Sequence, residues 1–106
     1  MPQFYDAMPV DWIAPGESAT VVVDGFPVAI ANLDGTFHAF QNLCPHQGTT
    51  LGGRPVVDCV ITCPQHSSRY DVRTGACVQP AEGDGFDQDL IVFDVEVVDD
   101  VVRVRI

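Results

Sequence analysis

Two short segments of the chain each carry one cysteine and one histidine, whose thiolate and imidazole groups bind transition metals. The first reads Cys-Pro-His at residues 44–46, and the second reads Cys-Pro-Gln-His at residues 63–66, with sixteen residues between them. That interval is long enough for a hairpin, so the two segments can face each other as loops. The pattern predicts a metal centre whose ligands are Cys44, His46, Cys63 and His66.

Two kinds of metal centre use this set of ligands. A structural zinc site accepts two thiolates and two imidazoles, but zinc fingers usually pair cysteine with cysteine and histidine with histidine. In this chain each loop holds one cysteine and one histidine. That arrangement is more typical of a [2Fe–2S] cluster with two thiolates on one iron and two imidazoles on the other. A zinc-binding module remains the remote alternative.

The chain has two further cysteines, so an all-cysteine cluster must also be weighed. The four cysteines are separated by gaps of 14, 3 and 13 residues, which differ from the spacing of plant-type ferredoxins. Cys59 precedes the apolar stretch 60–62, a predicted strand, and is expected to point into a sheet face; Cys77 follows a Thr-Gly-Ala turn. We expect both to be small buried apolar residues, and a disulfide between them stays open.

The Cys-x-His and Cys-x-x-His loops resemble the motif of Rieske proteins, and the resemblance covers nearly the whole chain. It implies one [2Fe–2S] cluster bound by Cys44, His46, Cys63 and His66. Neutral imidazoles in place of two thiolates make the cluster less negative, so its reduction potential rises into a window of roughly −150 to +300 mV. The resemblance therefore implies a one-electron carrier that has no catalytic residues of its own.

The same resemblance implies roles for residues around the cluster. Ser68 and Tyr70 stand two and four residues after the second histidine. At these positions the Rieske proteins of cytochrome complexes donate hydrogen bonds that raise the potential. Pro80 stands in the position of a proline-containing loop that shields the cluster. Thr49 and Gln65 replace two cysteines that form a disulfide in those proteins, so we expect packing to fix the loops here.

The charge of the chain argues against nucleic acid as a partner. Fifteen acidic residues stand against five arginines and no lysine, which gives the 106 residues a formal net charge of −10. The phosphates of nucleic acid repel such a chain. Residues 44–80 carry a net charge of +1 and the rest of the chain carries −11. This acidic excess is explained by solubility alone, or by steering of the protein toward basic patches on redox partners.

The sequence does not predict a membrane segment. No run approaches eighteen apolar residues, and the amino terminus lacks a basic stretch followed by an apolar one. We therefore expect no membrane anchor and no secretory signal. The expected form is a soluble monomer in the cytoplasm.

Turn dipeptides divide the chain into short strands. Asp24-Gly25 and Asp34-Gly35 are strong hairpin signals, and Asp99-Asp100 marks another hairpin. Because no helical periodicity is evident, the predicted fold class is all-β with antiparallel sheets. His38 is expected to be an ordinary strand residue outside the metal centre. The predicted strands cover residues 19–23, 26–33, 36–41, 60–62, 69–72, 90–98 and 101–106, after a loop over 11–17.

This layout is similar to that of Rieske domains, in which a base of antiparallel sheet carries a smaller inserted unit that binds the cluster. The resemblance implies a single domain over residues 1–106. Its base would be residues 1–43 and 81–106, and its cluster-binding subdomain would be residues 44–80. The charge follows the same division, since the inserted part is nearly neutral and the base is acidic.

Small Rieske chains are typically the ferredoxin components of bacterial aromatic-ring-hydroxylating oxygenase systems. The resemblance implies that this chain takes an electron from a flavin-dependent NAD(P)H reductase and passes it to a terminal oxygenase. Two alternatives share the same motifs: the small subunit of an assimilatory nitrite reductase and the ferredoxin of a diiron monooxygenase. The substrate of the downstream enzyme leaves no trace in a carrier's sequence.

Overall fold

The chain folds into β-strands joined by short turns. A computed structural model describes residues 3–44, 49–64, 67–79 and 88–106, which contain ten strands. The strands are β1 (Phe4–Pro9), β2 (Ser18–Val23), β3 (Phe26–Leu33), β4 (Thr36–Gln41), β5 (Val56–Val57), β6 (Val60–Thr62), β7 (Arg69–Asp71), β8 (Cys77–Gln79), β9 (Val92–Val98) and β10 (Val101–Arg105). A helix that could cross a bilayer is absent from the described part of the chain.

These strands form two antiparallel sheets, which confirms the predicted fold class. The six-stranded sheet has the order β1-β10-β9-β4-β3-β2, and the four-stranded sheet has the order β5-β6-β7-β8. The larger sheet draws its strands from both ends of the chain, and the smaller sheet draws its strands from the middle. Cys44 therefore lies where the chain passes from β4 of the larger sheet to the smaller sheet. Cys63 lies between β6 and β7 of the smaller sheet.

Two-residue turns set the register of the hairpins. Asp24-Gly25, Asp34-Gly35 and Asp99-Asp100 each join paired strands, and both residues of each turn have positive φ. That conformation matches the right-handed twist of the flanking strands, and glycine and aspartate tolerate it better than most residues. The three predicted hairpins are confirmed. Asp58-Cys59 forms a further turn of this kind between β5 and β6.

Strand β3 is buried on both faces and separates two apolar cores. Val28 and Ile30 point into the core inside the six-stranded sheet, which also contains Val102 and Val104 from β10. The alternate residues Ala29 and Ala31 point into a second core between the sheets. That inter-sheet core is completed by Phe40, Cys44, Leu51, Val56, Ile61, Cys63, Tyr70, Val72 and Leu90.

The sequence did not predict three of the strands. Strand β1 pairs with β10 across almost the full length of the chain, and its register shifts between Asp6 and Met8, so local alternation gives only a weak signal. Strands β5 and β8 are two and three residues long and lie at the edges of the smaller sheet. Such short edge strands depend on their neighbours for pairing, which a local pattern does not record.

The prediction that Cys59 faces into a sheet is wrong. Cys59 is the second residue of the turn before β6, with φ of 66°, and it is half-buried. Its carbonyl accepts the Val72 N–H at 3.0 Å, which ties the turn to the end of β7. Cys77, on β8, is also half-buried and packs against the inter-sheet core. The structure does not join Cys59 and Cys77 in a disulfide.

His38 is a strand residue as predicted, but charged groups act on it. Asp71, the last residue of β7, and Arg73, in the turn that follows, form an ion pair with 2.7 Å between Arg73 Nη2 and Asp71 Oδ2. Burial lowers the pKa of His38, and the Arg73 guanidinium lowers it further, while the Asp71 carboxylate opposes this shift. His38 is therefore held neutral where β4 of the larger sheet faces a turn of the smaller one.

Replacing His38 with glutamine should make the stability of the protein less sensitive to mild acid. A lowered pKa means that the unfolded chain takes up the proton more readily than the folded one, so stability is lost as pH falls below the ordinary value of 6.5. Urea unfolding at about pH 7.5 and about pH 5.5 would measure this loss for the wild type and His38→Gln. An equal loss in both proteins would contradict the prediction.

Candidate metal centre

Cys44 begins a loop that leaves the six-stranded sheet just after β4. The loop is closed at its base by an antiparallel bridge between Leu43 and Thr50. The Cys44 N–H donates a hydrogen bond to the Thr49 carbonyl at 2.7 Å. Because the backbone on both sides of the loop is paired, the position of Cys44 is set by the larger sheet.

Cys63 follows β6 and lies on the other loop. Its N–H donates to the Ser68 carbonyl at 2.8 Å, and its carbonyl accepts the Ser67 N–H at 3.2 Å. Ser67 has φ of 61°, a left-handed conformation that costs a non-glycine residue about 1 kcal/mol. The reciprocal bonds hold Cys63 against the start of β7, so the smaller sheet sets its position.

The two cysteines meet in the inter-sheet core. Cys44 and Cys63 are each only 1% exposed and belong to the same buried cluster as Ala29, Ala31 and Phe40. The structure thus places two of the predicted metal ligands in one buried cluster, Cys44 on a loop that leaves the larger sheet and Cys63 on a loop of the smaller one. Thiol groups in an apolar core are either inert or reserved for a ligand, and the groups around them distinguish the two cases.

Two hydroxyl groups contact the sulfur of Cys44. Ser68 Oγ lies 3.7 Å from Cys44 Sγ, and Tyr70 Oη lies 3.4 Å from it. Ser68 and Tyr70 are 1% and 2% exposed. A metal-bound thiolate has no proton, so in that state both hydroxyls would donate to the sulfur. These are the two residues for which the sequence predicted this role.

Tyr70 is well suited to be such a donor. Burial raises the pKa of the Tyr70 phenol, and the hydrogen bond with Cys44 raises it further, whereas the hydrogen bond with Ser68 acts in the opposite direction. A raised pKa means that the phenol keeps its proton to higher pH than a tyrosine in water. Tyr70 is therefore a stable donor over the physiological pH range.

Three predicted site residues, His46, His66 and Pro80, lie outside the described residues. Among those described, no three cysteine, histidine or acidic side chains gather as a metal site, since only two of the four predicted ligands are included. The surroundings of the two cysteines nevertheless suit a [2Fe–2S] centre. The buried polar residues in the described ranges are uncharged, and an oxidised centre with two thiolates and two imidazoles is itself neutral.

An apolar groove adjoins the loop of Cys44. Leu43 and Ile91 are 44% and 62% exposed, and Phe26 also lines the groove. The Gln41 side chain joins Leu43 to Ile91, because its Nε2 donates to the Leu43 carbonyl at 2.8 Å and its Oε1 accepts the Ile91 N–H at 3.1 Å. The sequence analysis missed this surface, since its residues come from three separate segments.

Comparison with protein families distinguishes between the metal centres that share this ligand set. The model of the Rieske [2Fe-2S] domain matches residues 3–98, which is most of the chain. The chain belongs to the Rieske [2Fe-2S] domain family. The resemblance drawn from the two cysteine–histidine loops is thereby confirmed, and membership implies a [2Fe–2S] cluster.

Relatives of this Rieske domain include ferredoxins of several oxygenase systems. It is 38% identical over 78 residues to the biphenyl dioxygenase ferredoxin subunit of Pseudomonas sp. strain KKS102, covering 73% of this chain and 72% of that one. It is 31% identical over 80 residues to the ferredoxin component of the alkene monooxygenase system of Xanthobacter autotrophicus Py2, covering 74% and 66%. The structure of the ferredoxin of carbazole 1,9a-dioxygenase from Nocardioides aromaticivorans IC177 matches with a TM-score of 0.82 at 28% identity, covering 98% and 96%.

Removing the hydroxyl of Tyr70 should lower the reduction potential of this Rieske domain. A hydroxyl that donates to a ligand sulfur stabilises the reduced, more negative state. We expect Tyr70→Phe to lower the equilibrium constant for reduction about tenfold, which is ~59 mV for a one-electron couple. Protein-film voltammetry measures this shift. Tyr5→Phe is the matched control, because Tyr5 packs against the other core. A wild-type potential in Tyr70→Phe would disprove the role of the hydroxyl.

Proposed function

We propose that the chain is a one-electron carrier, the ferredoxin component of an aromatic-ring-hydroxylating oxygenase system. It would accept an electron from a flavin-dependent NAD(P)H reductase and deliver it to a terminal oxygenase. The observation that carries this proposal is the buried pair of Cys44 and Cys63 with the hydroxyls of Ser68 and Tyr70 beside one sulfur. The biphenyl and carbazole dioxygenase ferredoxins, which are similar over most of the chain, support the choice of system.

In this proposal Cys44, His46, Cys63 and His66 hold the cluster, and the cluster when bound takes up and releases one electron. The chain itself keeps the thiolates away from water, because both cysteines are buried between the sheets. The Ser68 and Tyr70 hydroxyls would donate hydrogen bonds to the Cys44 sulfur, and the raised pKa of Tyr70 keeps its phenol protonated. Burial of neutral donors also limits the reorganisation that accompanies a change of charge.

The proposal extends to the organisation of the chain. Residues 44–80 would form the cluster-binding subdomain, and residues 1–43 and 81–106 would form the base of a single domain. The strand order supports this division, since β5 to β8 make a sheet of their own. Pro80 would shield the cluster, and the protein would work as a monomer in the cytoplasm.

The apolar groove beside the Cys44 loop is the surface to which we expect the terminal oxygenase to bind. Leu43 immediately precedes Cys44, so a partner seated in the apolar groove would come close to this ligand. The net charge of −10 favours a partner with a basic rim and disfavours self-association. We propose that the oxygenase places an apolar side chain in this groove.

A second candidate is a ferredoxin that serves a diiron monooxygenase. One observation favours it, the 31% identity to the ferredoxin component of an alkene monooxygenase system. The two candidates share the cluster, the ligands and the role of carrier, and they differ only in the electron acceptor. The nitrite reductase subunit stays an alternative drawn from the sequence, whereas membership of the Rieske family argues against the zinc module.

Metal analysis of purified variants tests the ligand set. We expect about two irons per wild-type chain and a rhombic EPR signal after reduction with dithionite, as for a histidine-ligated cluster. Cys63→Ser should lose the iron and the signal. Cys59→Ser, at the half-buried cysteine of the turn before β6, should keep both. One zinc per chain and no EPR signal would overturn the proposed function.

Electron transfer to an oxygenase tests the surface. The terminal oxygenase of the biphenyl dioxygenase of Pseudomonas sp. KKS102 is a suitable acceptor because its ferredoxin is similar to this chain. We expect Leu43→Gln to slow reduction of the oxygenase about tenfold, the cost of losing one buried aliphatic contact, with no change in potential. Val97→Gln changes an exposed aliphatic residue of β9 and should have no effect. Equal rates for both variants would contradict the proposed contact.

A further inference from the structure

A partly buried hydrogen-bond network lies at the base of the Cys44 loop. The Thr20 hydroxyl on β2 donates to Asn42 Oδ1 at 2.8 Å, and the Gly52 N–H donates to the same oxygen at 3.2 Å. The backbone carbonyl of Asn42 also accepts the Leu51 N–H at 2.7 Å. Asn42 itself is 6% exposed, whereas Thr20 is an exposed residue of β2, so the network runs from the surface to a buried acceptor. One side chain thus joins both ends of the loop to β2.

The fit around Gly52 shows how closely the loop approaches β2. A Cβ atom at residue 52 would overlap Thr20 Oγ1 and would lie 2.7 Å from Asn42 Oδ1 and 2.8 Å from the Thr20 backbone nitrogen. Only glycine allows this approach, because the backbone nitrogen cannot move aside as a side chain can. The far end of the loop is therefore pressed against the edge strand of the larger sheet.

Cys44 is only two residues beyond Asn42, so the bonds that hold Asn42 also constrain the position of Cys44. The Leu43 bridge to Thr50 and the Cys44 N–H bond to Thr49 continue the pairing that Asn42 begins. Cys44 Sγ, however, contacts Tyr70, on β7 of the other sheet, and Ser68, which lies just before that strand. Whether these contacts form depends on where the larger sheet holds the loop.

We infer that Asn42 is a positioning residue, which keeps the Cys44 sulfur in reach of the Ser68 and Tyr70 hydroxyls and so sets the reduction potential. The inference rests on the proposed function, since it concerns a cluster bound by Cys44. Asn42 acts through the loop and does not touch the sulfur itself. A second bond between this segment and β2 does not involve Asn42, because the Gly53 N–H donates to Ser18 Oγ at 3.1 Å.

The chain offers a matched control in Asn32 on β3. Asn32 is 5% exposed, accepts the Gly35 N–H through Oδ1 at 2.8 Å and donates from Nδ2 to the Ile13 carbonyl at 3.0 Å. Like Asn42, it is a buried asparagine that holds the amide of a glycine. It contacts a different part of the chain, so its loss should reduce stability without moving Cys44.

The experiment measures reduction potential and thermal midpoint for Asn42→Ala, Asn32→Ala, Thr20→Val and Thr20→Ser. Weaker sulfur contacts in Asn42→Ala should lower the equilibrium constant for reduction about threefold. Thr20→Val, which loses the hydroxyl donor, should also lower the equilibrium constant for reduction. Thr20→Ser, which keeps a hydroxyl, should leave that constant at its wild-type value. Asn32→Ala should lower the midpoint and leave the potential unchanged. In a Tyr70→Phe background the effect of Asn42→Ala should shrink, because both changes act on one contact.

Amide hydrogen exchange of iron-free protein gives a readout that needs no cluster. The Leu51 N–H, bonded to the Asn42 carbonyl, should exchange faster in Asn42→Ala than in Asn32→Ala. Equal potentials in these two variants, or strict additivity of Asn42→Ala with Tyr70→Phe, would overturn the inference. A wild-type chain without iron would instead overturn the proposed function, so the two failures are distinguishable.

Discussion

The packing of the four-stranded sheet against the alanine face of β3 is the contact on which the candidate site depends. Ala29 and Ala31 are small, so the two sheets come close together and exclude water from the space between them. Cys44 approaches this space from the larger sheet and Cys63 from the smaller one. Because protein interiors are close-packed, larger side chains at the alanine positions would displace one cysteine relative to the other.

Polar groups in this apolar core are satisfied by one another. Cys44 Sγ has the hydroxyls of Ser68 and Tyr70 beside it, and no buried side-chain nitrogen or oxygen of the described residues lacks a hydrogen-bond partner. Neutral donors around a neutral oxidised centre avoid the large cost of burying charge. With a cluster bound, the hydrogen bonds from these donors would strengthen as the site gained negative charge, so they would favour the reduced state.

The charged and apolar parts of the surface act on a partner protein over different distances. Arg103 bonds Asp6 and Glu96, at 3.0 and 2.7 Å, and so uses part of the positive charge of the chain to join β1, β10 and β9. The acidic excess that remains acts on partners over about 10 Å at moderate ionic strength. The apolar groove beside Leu43 acts only on contact. Long-range steering and short-range fit are therefore provided by different residues.

The all-β class, three hairpins and the two cysteine–histidine motifs could be read from the sequence, because turn dipeptides and ligand spacing involve only a few neighbouring residues. It placed Cys59 wrongly, since nothing local marks a cysteine for a left-handed turn. The hydrogen bonds between Thr20 and Asn42 and between Gln41 and Ile91 join residues 22 and 50 positions apart, and they could not be predicted before the fold was known. Such pairs form only when distant strands pack in a fixed register, and no local pattern encodes that register.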